Sequence, residues 1–249
     1  MNYKLVLSYD GTDYYGWQRQ PHHPTVQGTL EEALAKINGK HVSVLGAGRT
    51  DAGVHALAQV ASFKADLRLS PQDLRKALNA LIPDDVRVLE VHKMGPDFHA
   101  RRSAKSKIYR YRIFHDRDVS PFDVRYVLYW PYRLDINKMK AAARLFARED
   151  DFTPFSSNRE LHPVRKVLRS EVRRSGKEIL YTVEANGFLR YMVRAMVGTL
   201  LEVGRGRIAP DHVEELFQGK RRTLASPTAP AKGLCLIKVK YSSQRAKKT

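Results

Sequence analysis

The chain has 249 residues, 43% of them hydrophobic, which is enough apolar material to fill the cores of one or two domains. Its 44 lysines and arginines outnumber its 26 aspartates and glutamates, so the formal net charge is +18. This composition argues against a disordered chain, and the charge favours a polyanionic partner, either a nucleic acid or an anionic membrane surface.

Membrane insertion and metal-cluster chemistry are not expected. No stretch approaches the roughly 18 consecutive apolar residues of a spanning helix, and the first ten residues lack an apolar signal-peptide core, so we expect a soluble, cytoplasmic protein. The single cysteine, Cys235, can form no internal disulfide and offers no cysteine cluster for zinc or iron–sulfur ligation.

The first half of the chain predicts six elements. They are a strand over residues 4–9, a helix over 26–37, strands over 42–45 and 57–63, a helix from 70 to before Pro83, and a strand over 86–91. Thr25 and Ser70 are helix N-caps, and Gly39 ends the first helix. The resulting β-α-β-β-α-β order is that of a ferredoxin-like unit.

The second half repeats this order after a turn-rich, basic segment that places a domain boundary near Ser103. The predicted elements are a strand over 107–114, a helix after Asp135, a hairpin of 165–173 with 178–184, an apolar helix over 188–203, a short helix over 212–217 and a strand over 234–241. Residues 244–249 form a basic tail. The domains are then 1–103 and 104–249.

Together these patterns predict an α+β fold. We expect two ferredoxin-like units, similar to RNA-recognition domains, with mostly antiparallel sheets flanking a central basic cleft.

Residues 46–56 are the most unusual stretch, with the sequence GAGRTDAGVHA. Three glycines in eight residues allow close ligand approach, while Arg49, Asp51 and His55 concentrate polar groups beside them. The stretch is neither a Walker A loop nor a Rossmann fingerprint, and one Asp with one His is too few for a metal site, so we predict no metal. The plainer interpretation is a glycine turn with Arg49 and Asp51 paired on the surface.

Two further segments carry candidate residues. Residues 99–112 contain six cationic and no acidic side chains with interleaved tyrosines, as a surface tracking a phosphate backbone requires, although Tyr109 alone reads as a core tyrosine. In the apolar helix, Arg190 and Arg194 lie one turn apart and need a cleft or a carboxylate. Asp51 could be the carboxylate that pairs with Arg194. The alternative is a purely structural ion pair of Arg194 with Glu202 or Glu184.

The chain resembles the tRNA pseudouridine synthase A family. The resemblance is carried by residues 46–56, by KIYRY at 107–111, by FLRYMVR at 188–194 and by APAKGL at 229–234, with the early YDGT at 9–12 and GWQ at 16–18, all in the family's order. It covers essentially the whole chain. It implies an isomerase that converts uridine to pseudouridine at positions 38, 39 and 40 in the anticodon stem-loop of tRNA, acting as a homodimer without metal or organic cofactor.

The resemblance also implies residue roles. Asp51 matches the catalytic aspartate, expected as nucleophile, Arg194 the arginine paired with it, and Tyr109 the tyrosine that stacks on the target base and is a candidate base for the C5 proton. Arg49 matches a residue taking part in extrusion of the target nucleotide. The remaining expected substrate-binding residues are His55, Arg190, Arg101 and Lys107.

One departure and one alternative accompany this interpretation. Many family members have a histidine where this chain has Asp150, so the resemblance does not carry any RNA contact of that histidine over to this chain, while the chemistry is unaffected. A non-catalytic RNA-binding protein would also account for the charge and the doubled units, but it leaves the Asp51 loop unexplained. A membrane-surface protein is a third and weaker alternative, because no strongly basic amphipathic helix stands out.

Overall fold

The computed structural model describes residues 1–157, 161–219 and 227–242, and the chain divides into two compact units. The first unit comprises Met1–Ala52, Ala56–Lys107 and the chain from Ile237 onward, and the second comprises Gly53–His55 and Ile108–Leu236. Over the described residues the fold is mixed α+β, with five α-helices and mostly antiparallel strands. Division of the chain into folding domains 1–103 and 104–249 stays a prediction, since a compact unit need not fold alone.

The first unit follows the predicted order of elements. They are β1 (Asn2–Tyr9), α1 (Val26–Asn38), β2 (Leu45–Gly46), β3 (His55–Lys64), α2 (Pro71–Leu81) and β4 (Val86–Met94). Strand β1 lies between β3 and β4 and is antiparallel to both, while β2 pairs antiparallel with β3. Leu5 and Leu7 of β1 and Leu30 and Leu34 of α1 are fully buried in the core of this unit.

Helix ends in this unit fall where the capping residues predict them. The Thr25 side chain accepts a hydrogen bond from the Gly28 amide, and Gly39 closes α1 in the left-handed region at φ 72°. The Ser70 side chain likewise caps α2. The strand predicted over 42–45 is wrong except at Leu45, because the Val44 amide donates to the buried Glu31 carboxylate rather than to a neighbouring strand.

The second unit contains most of the remaining elements. They are β5 (Ala104–Phe114), β6 (Leu128–Tyr129), α3 (Ile136–Leu145), β7 (Glu149–Asp151), β8 (Val164–Ser175), β9 (Glu178–Ala185), α4 (Met192–Gly204), α5 (His212–Gly219) and β10 (Leu234–Tyr241). The strand order is β5-β9-β8-β7, and β8 is antiparallel to both neighbours. Strands β6 and β7 were not predicted, because two or three residues carry no measurable alternation.

An aromatic cluster forms part of the core of this unit. Phe146, Phe152, Phe155 and Phe217 meet with ring centroids 5.0 to 6.4 Å apart, mostly edge to face. All four side chains are buried. The predicted hairpin is confirmed, since β8 and β9 pair around a turn at residues 176–177.

Helix α4 begins four residues later than predicted. Tyr191 adopts φ 63° in the left-handed region, which interrupts any helix running through it, and the first helical residue is Met192. Arg190 therefore precedes the helix instead of lying one turn before Arg194 on its face. The predicted tail at 244–249 lies outside the described residues. No helix in the described ranges is long and apolar enough to cross a membrane.

Candidate active site

The glycine-rich loop that carries Asp51 connects β2 to β3, and its backbone is tied to the first unit at several points. The Trp17 amide donates to the Thr50 carbonyl at 3.0 Å, and the Gln59 side chain donates to the Gly48 carbonyl at 3.0 Å. The Thr50 hydroxyl shares a buried 2.9 Å hydrogen bond with Tyr9. Asp51, which is half-buried, therefore follows a residue fixed through both its backbone and its side chain.

Close backbone approach explains the glycines around this loop. A Cβ at Gly46 would stand 2.5 Å from the indole ring of Trp17, so this ring packs directly against the loop backbone. Gly16 adopts φ 85°, and a Cβ there would lie 2.5 Å from the Thr50 carbonyl oxygen and 3.1 Å from the Asp51 carbonyl carbon. The backbone of the Asp51 loop therefore packs directly against the segment containing Gly16 and Trp17, which fixes its path.

Three predicted substrate-binding residues also belong to the first unit. Lys107 is 8% exposed, and its Cε lies 3.2 Å from where a Gly48 Cβ would be, so its aliphatic stem lies along the Asp51 loop. Arg49 is exposed within the loop. Arg101 is exposed in a turn that follows β4, where its amide donates to the His99 ring at 3.1 Å. The structure thus places Lys107 and Arg49 at the loop and Arg101 in a separate turn.

Arg194, near the start of α4, is held by its own unit. Its Nε donates to the Ala229 carbonyl at 2.8 Å, and the Ala229 amide donates back to the Arg194 carbonyl at 3.0 Å. Its guanidinium carbon lies 4.8 Å from the centroid of the Tyr191 ring, and that of Arg190 lies 5.2 Å from the same ring. The left-handed backbone at Tyr191 thus places one aromatic ring against both arginines.

Two tyrosines on one face of β5 pack in the second unit, as the alternation predicts. Tyr109 is 6% exposed and meets the Phe188 ring edge to face at 5.1 Å. Tyr111 is fully buried, donates its hydroxyl to the Pro230 carbonyl at 2.8 Å, and covers Gly233. Burial raises the pKa of Tyr111, and the positive charge of Arg194 opposes that rise only in part. Tyr111 is therefore a neutral hydroxyl donor at neutral pH.

His55 anchors the end of the glycine-rich loop within the second unit. Its Nε2 lies 3.1 Å from the Arg125 carbonyl and 3.2 Å from the Lys232 carbonyl, and its ring meets Tyr126 at 5.1 Å. Two carbonyl acceptors require that this nitrogen carry the proton. His55 is 5% exposed, so the geometry describes a structural tether, and direct contact with a substrate stays a prediction.

Comparison with known proteins identifies the family. A family model described as tRNA pseudouridine synthase matches residues 5–101 and 142–242. The chain belongs to this family. Among curated members, the tRNA pseudouridine synthase A of Thermodesulfovibrio yellowstonii is 41% identical over 97% of this chain and 100% of its own length. The proteins of that name from Solibacter usitatus and Moorella thermoacetica are 44% and 43% identical, each over 96% of this chain and 98% of its own length.

A match to a solved structure of an H/ACA ribonucleoprotein, bound to a substrate RNA containing 2'-deoxyuridine, covers 80% of this chain and 53% of the solved chain. Its TM-score of 0.32 and identity of 14% are too low to support an argument about this protein.

Several contacts of this family member were not visible in its sequence. Tyr191, Phe188 and the carbonyl of Ala229 surround the predicted site residues, yet only the alternation along β5 and the stretch FLRYMVR hinted at any of them. Glu202, considered as a structural partner for Arg194, instead pairs with Arg205 and Arg207 at 2.8 and 3.3 Å.

Asp150 accepts a hydrogen bond from the Asp151 amide at 2.7 Å. It also lies 3.8 Å from the Arg148 guanidinium. Among the residues that the structure describes, no cluster of three or more His, Cys, Asp and Glu side chains is suited to hold a metal ion.

Proposed function

We propose that this protein is a tRNA pseudouridine synthase that isomerises uridine to pseudouridine at positions 38, 39 and 40 in the anticodon stem-loop. The observation that carries the proposal is the 41% identity to a tRNA pseudouridine synthase A over 97% of this chain and the whole of the relative. The Asp51 loop packs against Gly16 and Trp17 and presents a carboxylate from a fixed backbone, which also supports the proposal.

The reaction moves one glycosidic bond within a single nucleotide. The N1–C1′ bond breaks, the uracil rotates while it is held, and a C5–C1′ bond forms. The hydrogen on C5 leaves as a proton and N1 takes up a proton, so atoms and electrons balance without any oxidant, reductant or second substrate. We also propose, as the resemblance to the family implies, that no metal or organic cofactor takes part. The target nucleotide must leave its stack to reach a carboxylate, and the uracil must not escape.

Asp51 is the proposed nucleophile. Attack on the sugar, attack on the base, and removal of a sugar proton all require an ionised carboxylate at a defined position. A loop backbone held through Thr50 by Trp17 and Tyr9 supplies that position with little freedom to move, which favours catalysis because reacting groups must be aligned.

Two residues of the second unit are assigned to the chemistry, one to contact the target uracil and one to carry a positive charge. Tyr109 is proposed to stack on the target uracil and to accept the C5 proton, and the edge of Phe188 fixes its ring orientation. Arg194 is proposed as the cationic partner of Asp51. Its fixed contacts with Ala229 and Tyr191 support a residue whose guanidinium must point in one direction, and the pairing itself stays a prediction.

The proposed RNA contacts use the basic residues already placed. Arg49 is assigned to nucleotide extrusion, and Lys107, Arg101, Arg190 and His55 to binding of the RNA. The net charge of +18 supports a polyanionic substrate. We further propose a cytoplasmic homodimer of chains that each contain two ferredoxin-like units flanking a basic cleft. The antiparallel position of β1 between β3 and β4 supports this architecture for the first unit.

The test of the function is release of tritium from unmodified tRNA labelled at C5 of uridine. The protein should release label in buffer containing a chelator and no added cofactor. Mapping of the product should place pseudouridine at positions 38, 39 and 40, and tRNA carrying cytidine there should release none. A protein that binds the labelled tRNA without releasing any label would instead be a non-catalytic RNA-binding protein.

Gly16→Ala should reduce this activity by about 100-fold, since a displacement of about 1 Å in a catalytic group has a cost of that order. A methyl group 2.5 Å from the Thr50 carbonyl must push that carbonyl away and move Asp51 with it. Tritium release at saturating tRNA measures the effect.

Gly39→Ala is the matched control for this variant. Gly39 has a similar left-handed φ of 72° but no atom within 4 Å of an added Cβ, so the variant bears only backbone strain, of about 1 kcal/mol. It should keep wild-type activity. Equal activity of the two variants would show that the Gly16 contact does not position the Asp51 loop.

A further inference from the structure

A basic groove lies in the second unit at the far end of α4 from Arg194. It has a volume of about 690 Å³ and is formed by the start of α3, the end of α4 and the end of β8. Its cationic lining residues are Arg133, Lys138, Lys140, Arg174 and Arg205. None of the residues assigned to the chemistry lines it. Ten residues separate Arg194 from Gly204, which corresponds to about 15 Å along the helix.

The charge of this groove is largely uncompensated. Arg133, Lys138, Lys140 and Arg174 have no acidic partner among the described residues, and only Arg205 forms an ion pair, with Glu202. Asp135 is the one acidic residue in the lining, and its carboxylate caps α3 by accepting from the amides of Asn137 and Lys138. Four unpaired cations around one cavity repel one another, and an anion would relieve that repulsion.

The floor of the groove is rigid. The Asp135 amide donates to the Gly204 carbonyl at 2.7 Å, which fixes the start of α3 to the end of α4. Gly204 lies directly under Leu134 and Met139, with side-chain atoms 2.8 to 2.9 Å from where its Cβ would be. The cations on both sides thus stand on a preformed surface, which lowers the ordering cost of binding.

We propose that this groove binds backbone phosphates of the RNA substrate, as an anchoring site separate from the residues that carry out the chemistry. The proposal rests on the proposed function, because it takes RNA to be the substrate. Arginine and lysine are the usual phosphate ligands, and the neighbouring Tyr132, 68% exposed, offers a face for a base or ribose. The lining lacks an exposed apolar stripe, which an amphipathic helix or a membrane surface would require.

The test removes two of the unpaired charges with Lys138→Gln/Lys140→Gln. Both side chains are exposed, and glutamine is a good helix former, so α3 should stay intact. The double variant should bind unmodified tRNA about 10-fold more weakly at low salt. Its plot of log affinity against log salt should be shallower by about 2, one for each lost phosphate contact. KM for tRNA should rise while kcat at saturation stays at the wild-type value.

The matched control is Lys36→Gln/Lys40→Gln, which removes the same charge from two exposed lysines at the end of α1. It should change affinity by less than about twofold. If the two double variants lost the same amount of tRNA affinity, the loss would be a general effect of charge. The proposed phosphate site in the groove would then be wrong.

A third arm titrates inorganic phosphate and uridine monophosphate. We expect only weak binding of either by the wild type. The proposal would be wrong if the wild type bound the nucleotide tightly, the groove variant lost that binding, and the two proteins bound tRNA equally well. The ligand of the groove would then be a small molecule and not the RNA backbone. Failure of the proposed function would appear separately, as absent tritium release by a wild type that still binds tRNA.

Discussion

Asp51→Asn should abolish pseudouridine formation while leaving tRNA binding intact. Asparagine keeps the size of the side chain and removes its charge and nucleophilicity, so kcat/KM should fall by at least about 1000-fold. Binding should be equal or slightly tighter, because one negative charge disappears from a protein that binds a polyanion. Tritium release and filter binding on the same tRNA separate the two quantities, and Asp51→Ala should behave in the same way.

Asp66→Asn is the control for the change of charge. Asp66 is exposed just after β3 and does not belong to the glycine-rich loop, so its variant should retain full activity. An Asp51→Asn protein that kept a tenth of the wild-type rate would remove Asp51 from the role of nucleophile. Loss of binding along with turnover would instead make Asp51 a structural residue of the loop.

Gly198→Ala should destabilise the protein, although helix propensity alone predicts the opposite. Alanine inside a helix is favoured over glycine by about 1 kcal/mol. At this position, however, a Cβ would overlap the Pro227 carbonyl oxygen and stand 3.0 Å from its carbon. Relief requires the backbone at Pro227 to move, so we expect a net loss of about 2–3 kcal/mol in the free energy of unfolding, seen as a lower Tm.

Activity should fall in the same variant. Pro227 leads into the segment containing Ala229, whose carbonyl and amide both bond to Arg194. Gly204→Ala in the same helix is the control, because the atoms nearest to its Cβ belong to the side chains of Met139 and Leu134 and not to backbone. It should cost less than half as much stability. A Gly198→Ala protein as stable as the wild type would show that the segment at Pro227 yields without cost.

The sequence pattern predicted the structure correctly where residues close together in the chain determine it. Thr25, Gly39 and Ser70 carry their capping function in their own side chains or backbone freedom, and the helices they bound are confirmed. The glycine-rich loop was recognisable because three glycines in eight residues stand beside Arg49, Asp51 and His55, a concentration of polar groups where a ligand can approach closely. The sequence did not show that the GWQ segment at 16–18 packs against this loop, since Gly16 and Trp17 lie about 30 residues upstream of it.

Two predictions failed where the structure overrides the local preference of the sequence. The apolar periodicity of α4 extends back through Phe188, but Tyr191 leaves the helical region and its ring lies beside the guanidinium groups of Arg190 and Arg194. Val44 has strong β propensity, yet its amide is taken by Glu31 from α1. The Glu31–Val44 contact has no sequence signal, because the two residues are brought together only by folding. Tyr191 lies next to Arg190 and three residues before Arg194, but nothing in the pattern indicates that its backbone leaves the helical region.

The path of the last strand determines when the first unit can finish folding during synthesis on the ribosome. Strand β10 contributes Leu234–Leu236 to the second unit and its residues from Ile237 onward to the first, where Tyr241 donates to the Ala100 carbonyl at 2.7 Å and packs against Phe98. The first unit therefore lacks this part of its structure until residue 237 and the residues after it have been synthesised. A ribosome-bound chain stalled before residue 237 should leave Phe98 uncovered, and apolar side chains exposed in this way promote aggregation of incomplete chains.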